Sequence, residues 1–453
     1  MLLVVTVAVS CGGKAGEGNT SSGGISSAAG ESSQTQSITS PESLSSEQTL
    51  SDQTSAENLS EVSYESSDQS EISEISDESE ISEPSEEYSE NSEFSESSEV
   101  NESSEVSEIT PCDHPNGYTK VVKKYTYYED GTDRFTCPDC GFVKDTKTTK
   151  VIKRGKTTYT YEETESALKE FTSRYGLKVE IVGKSVEGRN IYACILGDHD
   201  SNHHVLVGAA MHGKEYMNTT LMLDLIEYYT IGEGETYLGT LLSDYVDGVC
   251  FHIIPMINPD GVTISQKASA TAEVAKFLLD RGILNDNLSK YFRVWKSNAN
   301  GVDLNRNFPA GWEEYDDTVW VPNYWLYKGP SPASEPETKA IMEYTLKYDF
   351  DVVVSYHSYG EVIYWKYGND SKLINKCKSL AQAVSNATGY SPVSPANEVQ
   401  AGYKDWAISV GIPALTVETG SVDTPLPDSQ YPKIWRENWK VFAVIAKWVK
   451  MNT

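Results

Sequence analysis

The stretch "VLVGAAMHGKEYMNTT", Val205–Thr220, is a run of small and β-branched apolar residues that ends at a histidine. A short apolar run bounded by polar residues predicts a buried β-strand that gives way to a loop. The loop begins at His212, and Glu215 follows three residues later. Taken alone, this pair fits either a hydrogen-bonded histidine at a strand end or part of a metal site. The other strand ends of the chain decide between the two.

From about residue 159, apolar strand-like runs alternate with helical patterns. The predicted strands are "KVEIVG", "NIYACILG", "HVLVGAA", "VCFHIIPMI", "DVVVSYH" and "PALTVE". The predicted helices are "YEETESALKEFTSRYG", "TTLMLDLIEYY", "PETKAIMEYTLKY" and a final "WRENWKVFAVIAKWV". We expect "TTLMLDLIEYY" to be amphipathic. The alternation predicts an α/β domain whose sheet is largely parallel and covered on both faces.

Polar residues follow several of these strands. His212 and Glu215 follow one, Asn258-Pro259-Asp260-Gly261 follows the next, and His357 and Glu418 end two later ones. Sheets of this kind bind ligands in the crevice beyond the carboxyl ends of their strands. The sequence therefore predicts a concave site that brings together two imidazoles and two carboxylates.

The residue types suggest what this site does. His212, Glu215 and His357 form a set of two histidines and one carboxylate, which is the ligand class of hydrolytic zinc. Zinc lowers the pKa of a bound water and polarises a scissile carbonyl. Glu418 is then available as the general base that takes the proton of the water and passes it to the leaving amine.

The stretch "ANGVDLNRNFP" adds two more candidates. Asp303 can orient a ligand histidine by bonding the ring nitrogen that does not bind the metal. Arg306 carries a planar fork of donors that can hold a carboxylate.

The motifs His-x-x-Glu, "NPDG", "GVDLNRNFP", "GPSPASEPET", "SYHSYG" and "TVETG" occur in the order found in zinc metallocarboxypeptidases. Residues 159–450 thus resemble the carboxypeptidase A family. The resemblance implies an α/β/α sandwich around a mixed, mostly parallel eight-stranded sheet. It also implies zinc on His212, Glu215 and His357, with Glu418 as base.

Three positions depart from the family pattern. Lys214 stands where the family usually has the arginine of His-x-Arg-Glu, and Lys296 stands where an arginine usually stabilises the oxyanion. We expect Lys296 to take that catalytic role and Lys214 to contact substrate, although a lysine lacks the bidentate fork of arginine. The position expected for the family's mobile substrate-binding tyrosine, about eight residues before Asp405, is Asn397, and Tyr403 is the nearby candidate for that role.

The motifs "WKSNANGVDLN", "AGYKDW" and "PLP" resemble one bacterial branch, the γ-D-glutamyl-L-diamino-acid peptidases, which cut peptidoglycan stem peptides. In that resemblance Asn305 and Arg306 hold the α-carboxylate of the substrate, and Lys404 occupies the specificity position. A lysine there favours a carboxylate side chain such as that of diaminopimelate. The alternative is that Lys404 extends into solvent.

These motifs predict a zinc peptidase that cuts the γ-D-Glu–diamino-acid bond of wall peptides. One alternative is an extracellular carboxypeptidase that removes acidic C-terminal residues. A third possibility, a non-catalytic wall-binding lipoprotein, does not explain a base beside the metal set. We expect a monomer.

The N-terminal quarter has a different composition. Residues 1–11 comprise an apolar run ending in Ala8-Val9-Ser10-Cys11, which resembles a signal peptide with a lipobox and predicts lipidation of Cys11. Residues 12–110 contain 24 acidic residues and one lysine, and predict a disordered Ser/Glu-rich linker. We therefore expect a cell-surface lipoprotein of a bacterium, held at the outer face of the membrane. The formal net charge of -30 argues against nucleic-acid binding.

Residues 111–156 predict a small β module before the catalytic domain at 157–453. Cys112, His114, Cys137 and Cys140 have the spacing of a zinc-ribbon-like structural zinc site, and a disulfide is the alternative. The remaining cysteines lie in apolar runs and are predicted to be buried apolar side chains: Cys194, Cys250 and Cys377.

Overall fold

The computed structural model describes residues 112–453, apart from 233, 284–286, 316–317 and 395–399. The predicted signal peptide, the lipidation site Cys11 and the predicted linker lie outside the described residues. Among the helices of the described part, none is both long and apolar enough to cross a membrane.

Two sheets make up most of the β structure. The first is an antiparallel sheet of three strands near the start of the described chain: β1 Tyr118–Lys123, β2 Gly131–Thr136 and β3 Val143–Thr148. The second has eight strands: β4 Lys178–Lys184, β5 Asn190–Gly197, β6 His204–Ala209, β9 Cys250–Ile254, β10 Phe350–His357, β11 Val362–Tyr364, β12 Ser391–Val393 and β13 Ala414–Glu418. A small hairpin joins β7 Thr236–Tyr237 to β8 Thr240–Leu241.

The eight strands lie in the order β12-β11-β13-β10-β6-β9-β5-β4. The pairs β12–β11, β13–β10, β10–β6 and β6–β9 are parallel, and the remaining three pairs are antiparallel. The predicted mixed, mostly parallel eight-stranded sheet is confirmed.

Helices cover both faces of this sheet. They are α1 Tyr161–Tyr175, α2 Met217–Ile231, α3 Leu242–Val246, α4 Pro259–Lys267, α5 Ala272–Leu279, α6 Leu288–Arg293, α7 Pro336–Lys347, α8 Ser371–Thr388, α9 Tyr403–Ser409, α10 Tyr431–Asn438 and α11 Val441–Asn452. The side chains of β6 alternate between two cores, because Val205 and Val207 join one apolar cluster and Leu206 joins the other. The domain is therefore an α/β/α sandwich.

Local sequence explains where α1 begins and ends. Thr160 accepts a hydrogen bond from the amide of Glu163, and the Glu163 carboxylate accepts one from the amide of Thr160. This reciprocal capping box satisfies two amides that the helix cannot pair internally. Gly176 ends the helix in the left-handed conformation, with a φ of 72°.

Two helix predictions need correction. The final predicted helix is two helices, α10 and α11, separated by a turn at residues 439–440. Helix α2 forms where predicted but is not amphipathic, since Met217–Tyr229 is buried on every side. Its outer side is covered by the segment that follows β3. There, the Lys150 ammonium pairs with Asp224, and the Glu227 carboxylate accepts from two backbone amides, those of residues 151 and 152.

Candidate active site

The site lies at the carboxyl ends of three neighbouring parallel strands. His212 follows β6, while His357 and Glu418 are the last residues of β10 and β13 and pair directly in the register of those strands. Glu215 is the last residue of a 3-10 turn that begins immediately after His212. The strand ends therefore meet as the sequence predicted, because parallel strands end on the same edge of the sheet.

The turn that carries Glu215 needs a glycine at its start. A Cβ at Gly213 would lie 2.3 Å from the carbonyl oxygen of Gly261, closer than real Cβ atoms come to another heavy atom. The Asn258 side chain holds this region together, since its amide donates to the carbonyl oxygens of Met211 and Ser297 at 3.0 and 3.1 Å. Asn258 of the "NPDG" motif thus positions the loop and also caps helix α4.

Three side chains converge on one point. The Nδ1 atom of His212 lies 2.8 Å from Glu215 Oε1, and the Nδ1 atom of His357 lies 3.0 Å from Glu215 Oε2. The two Nδ1 atoms are 3.1 Å apart. All three side chains are buried.

Asp303 sets the orientation of the first histidine. Its Oδ1 atom lies 3.1 Å from Nε2 of His212, on the side of the ring that faces away from Glu215. A proton on Nε2 leaves the Nδ1 lone pair directed at the shared point. Metal-binding histidines are oriented by a carboxylate in this way.

The donor set fits a zinc ion. Two ring nitrogens 3.1 Å apart cannot both accept from each other, and a carboxylate supplies only acceptors, so one dication satisfies all three groups better than hydrogen bonds do. When His212 is protonated, its charge and the hydrogen bonds from both histidines hold the pKa of Glu215 below its usual range, although burial alone would raise it. Glu215 is therefore an anionic ligand.

Glu418 lines the cavity beside the metal set without joining it. Burial raises the pKa of Glu418 to about 8, and the charge of Glu215 contributes in the same direction. A carboxyl group whose pKa lies near physiological pH can both accept and return a proton at that pH. A bound dication would lower this pKa.

The ligand set opens into a cavity of about 370 Å³. Four of its lining side chains are cationic: Lys214, Lys296, Arg306 and Lys404. Lys296 Nζ lies 3.9 Å from Glu215 Oε1, which places its ammonium next to the metal set. Lys214 Nζ lies 3.7 Å from the exposed carboxylate of Asp423. Three acidic side chains also line the cavity, Glu215, Asp405 and Glu418, so the cationic groups exceed the acidic ones by one.

A match between residues 164–441 and the profile described as "Zinc carboxypeptidase" decides the family. The chain belongs to the zinc carboxypeptidase family. It is therefore a zinc peptidase, and the zinc ligands implied by the family fall on donors that the structure brings together.

Two curated relatives and one solved structure illustrate the similarity. The chain is 31% identical over 296 residues to γ-D-glutamyl-L-diamino acid endopeptidase 1 of Lysinibacillus sphaericus, covering 64% of this chain and 73% of that protein. It is 29% identical over 263 residues to the uncharacterized protein YqgT of Bacillus subtilis, covering 56% and 68%. Thrombin activatable fibrinolysis inhibitor has a similar fold, with a TM-score of 0.52 at 22% identity over 65% of this chain and 78% of that one.

Asn305 and Arg306 line the cavity of the zinc peptidase. The Arg306 guanidinium donates from Nε to the Tyr315 hydroxyl at 3.1 Å and from Nη1 to the Asn305 carbonyl at 2.8 Å. These bonds hold the guanidinium in place at the cavity wall. The Asn305 side-chain oxygen accepts from the amide of Tyr403 at 3.0 Å.

Lys404 lies inside the cavity and is only 8% exposed, so the alternative of a lysine extending into solvent is wrong. Its ammonium contacts the Asp405 carboxylate and donates to the Lys366 carbonyl at 2.8 Å. The neighbouring carboxylate was not anticipated from the sequence. An ammonium has three N–H donors, so one donor remains for a substrate group.

The prediction that Tyr403 binds substrate is wrong. Its side chain is 1% exposed, stacks beside Phe308 and Trp406, and bonds Thr345 through its hydroxyl at 2.7 Å. The first turn of α9 directs it into the core beneath the sheet. Sequence proximity to the specificity position does not predict this direction, because adjacent residues of a helix point about 100° apart.

The structure places two other tyrosines, Tyr359 and Tyr364, in the cavity lining. Tyr359 comes two residues after the ligand His357 in "SYHSYG" and is 49% exposed. Its position just beyond a strand end was the signal that could have identified it. Tyr364 lies on β11 and pairs with Thr416, while Val362 of the same strand pairs with Glu418.

The four predicted ligands of the small module also meet in space. Cys112, His114, Cys137 and Cys140 place their donor atoms within 4.8 Å of one another. Cys112 Sγ lies 3.9 Å from Cys137 Sγ, and Cys140 Sγ lies 3.4 Å from Nδ1 of His114. The sulfur separation is far longer than the roughly 2.05 Å of a disulfide.

Proposed function

We propose that this zinc peptidase hydrolyses the amide bond between γ-D-glutamate and the diamino acid of peptidoglycan stem peptides. The observation that carries the proposal is Lys404, a buried lysine that lines the cavity of a chain 31% identical to a γ-D-glutamyl-L-diamino acid endopeptidase. Diaminopimelate bears a carboxylate at the far end of its side chain, and an apolar or basic side chain offers no such partner for the lysine.

In this reaction, each residue of the site would have a separate role. Arg306 and Asn305 hold the α-carboxylate of the diamino acid, and the remaining donor of Lys404 holds its distal carboxylate. Glu418 takes a proton from the attacking water and returns it to the amine that leaves. Lys296 faces the negative charge that develops on the scissile carbonyl oxygen.

His212, Glu215 and His357 would hold the zinc ion. When bound there, zinc supplies Lewis acidity that activates water and polarises the carbonyl.

The test is a digest followed by mass spectrometry. The substrates are the tripeptide L-Ala-γ-D-Glu-meso-diaminopimelate and a matched α-linked peptide that ends in glutamate. Release of diaminopimelate from the tripeptide, at a rate exceeding that of glutamate from the peptide, is expected. Cleavage of the glutamate peptide alone would reject the wall substrate.

That second result would support the other candidate, a carboxypeptidase that removes acidic C-terminal residues. Lys404 favours it as well, because a glutamate side chain also carries a carboxylate. A non-catalytic binding protein is the third candidate. Hydrolysis of either substrate, lost in Glu418→Gln, would reject it.

We also propose that the small module binds a second, structural zinc ion. Sulfur ligands about 2.3 Å from one tetrahedral zinc lie about 3.8 Å apart, close to the 3.9 Å between Cys112 and Cys137. Alkylation of the unfolded, unreduced protein followed by mass spectrometry tests this. Zinc leaves all three cysteines of the module open to alkylation, whereas a disulfide protects two of them.

We propose finally that the enzyme acts at the bacterial cell surface. The lipobox-like Ala8-Val9-Ser10-Cys11 and the acidic linker support this location. Incorporation of a labelled fatty acid in a bacterial host, absent in Cys11→Ala, is expected. Equal labelling of that variant would reject Cys11 as the anchor.

A further inference from the structure

A third cluster of side chains that could bind a metal lies at the amino-terminal ends of two central strands, opposite the active site. His204 is the first residue of β6 and Cys250 is the first residue of β9, and the two pair directly in the register of these parallel strands. His252 follows two residues after Cys250, so its side chain is on the same face of the sheet. The catalytic residues lie at or just beyond the carboxyl ends of the strands.

The donor atoms of this cluster converge. His204 Nδ1 lies 3.2 Å from His252 Nε2, and Cys250 Sγ lies 3.5 Å from the same nitrogen. All three donors lie within 4.8 Å of one another. Ligands of one tetrahedral zinc are about 3.4 Å apart for two nitrogens and about 3.6 Å apart for nitrogen and sulfur.

The surroundings fix which nitrogen of His252 is available. The Tyr344 hydroxyl donates to the Glu180 carboxylate at 3.3 Å. The oxygen of Tyr344 therefore accepts from Nδ1 of His252, 2.8 Å away. With the proton on Nδ1, the Nε2 lone pair faces His204 and Cys250. This relay is the arrangement that orients metal-binding histidines.

Burial favours the neutral form of His252. Both His252 and Cys250 are 2% exposed, and burial disfavours a charged imidazole. A neutral imidazole is the form that binds metal. His204 is only half-buried and leaves a side from which an ion can enter.

We propose that His204, Cys250 and His252 form a further metal site, distinct from the catalytic site and from the module, that binds a borderline or soft ion, Zn²⁺ or Cu⁺. Two imidazoles and one thiolate are the donors that select these ions over Mg²⁺ or Ca²⁺. Binding joins β6 to β9 and releases the thiol proton of Cys250 to solvent. Cys250 is then a ligand and not the buried apolar side chain that its sequence suggests.

The test compares the metal content of the full chain in three variants. Cys250→Ala and His204→Gln remove one donor each. Cys377→Ala is the matched control, because Cys377 is also fully buried in the same apolar cluster as Cys250 but lies outside the donor set. After equilibration with zinc and gel filtration, Cys250→Ala and His204→Gln should each retain one equivalent less than wild type, and the control should retain the same amount.

Replacement of zinc by Co²⁺ adds a spectroscopic measurement. The thiolate charge-transfer absorption of the wild type should exceed that of Cys250→Ala and equal that of Cys377→Ala. A parallel titration with Cu⁺ identifies which of the two ions the site prefers. Equal metal content and equal spectra in all variants would overturn the proposal and leave a hydrogen-bonded trio of side chains.

A measurement on the wild type covers the case in which a variant does not fold. Crystals grown with zinc, and crystals treated with Cu⁺ where the titration favours that ion, should show an anomalous scattering peak between His204, Cys250 and His252. Absence of that peak, in crystals that show zinc at His212, Glu215 and His357, would also overturn the proposal. Peptidase activity does not enter either test, so failure of the proposed substrate leaves this site unaffected.

Discussion

Replacement of Lys404 by methionine should change which peptides the enzyme cuts. Methionine keeps the length and apolar stem of lysine but removes the ammonium that faces the cavity. The structure shows that this ammonium is already engaged by Asp405 and the Lys366 carbonyl, so it can offer a substrate carboxylate one charged hydrogen bond. A hydrogen bond to a charged group contributes about 1.5–3 kcal/mol.

That energy sets the expected effect. For the meso-diaminopimelate tripeptide, kcat/KM should fall about 10- to 150-fold, since about 1.4 kcal/mol corresponds to a factor of ten. For the corresponding L-lysine tripeptide, which has no distal carboxylate, the fall should be much smaller. Both diamino acids carry an ammonium at the end of the side chain, so the Asp405 carboxylate left without its lysine does not by itself distinguish them. The ratio of the two kcat/KM values should therefore shift towards the lysine peptide.

The assay is steady-state release of the free diamino acid from each tripeptide, measured by chromatography. Thermal unfolding of the variant controls for damage to the fold, and Lys404→Met/Asp405→Asn controls for the buried unpaired carboxylate. An equal loss on both peptides would refute the reasoning, because Lys404 would then act on folding or catalysis and not on the distal carboxylate.

Three further predictions concern individual side chains. Glu418→Gln should keep its zinc in a metal analysis, but its kcat should fall about 10²- to 10⁴-fold because the general base is removed. Unchanged turnover would exclude Glu418 from proton transfer. Asp303→Ala should weaken zinc binding about 10- to 100-fold in a chelator competition, since His212 loses its orienting partner; wild-type affinity would contradict that role. Tyr403→Phe should leave kcat/KM near the wild-type value and reduce the free energy of unfolding by about 1 kcal/mol, because the hydrogen bond to Thr345 is lost. A large loss of kcat/KM at unchanged stability would instead show that Tyr403 contacts the substrate.

The sequence predicts the sheet and the metal set for one physical reason. Buried parallel strands appear as apolar runs, and the residues just beyond their carboxyl ends are brought together by the sheet itself. His212, His357 and Glu418 could therefore be grouped without knowledge of any contact between them.

Features that depend on side-chain direction or strand order could not be predicted in this way. Tyr403 faces the core because of where α9 begins, and the ion pair between Lys404 and Asp405 depends on how that helix meets the cavity wall. His204 and Cys250 are 46 positions apart and become neighbours only through the pairing of β6 with β9. No local pattern contains that information.

The segment that covers helix α2 limits how far the protein can be shortened. The family match spans residues 164–441, yet α2 is sealed on its outer side by Lys150 and the backbone that follows it, and α11 lies almost wholly beyond residue 441. A fragment trimmed to residues 164–441 would expose Asp224, Glu227 and an apolar helix surface to water. The smallest folding unit that preserves the peptidase therefore extends on both sides of the region that defines its family.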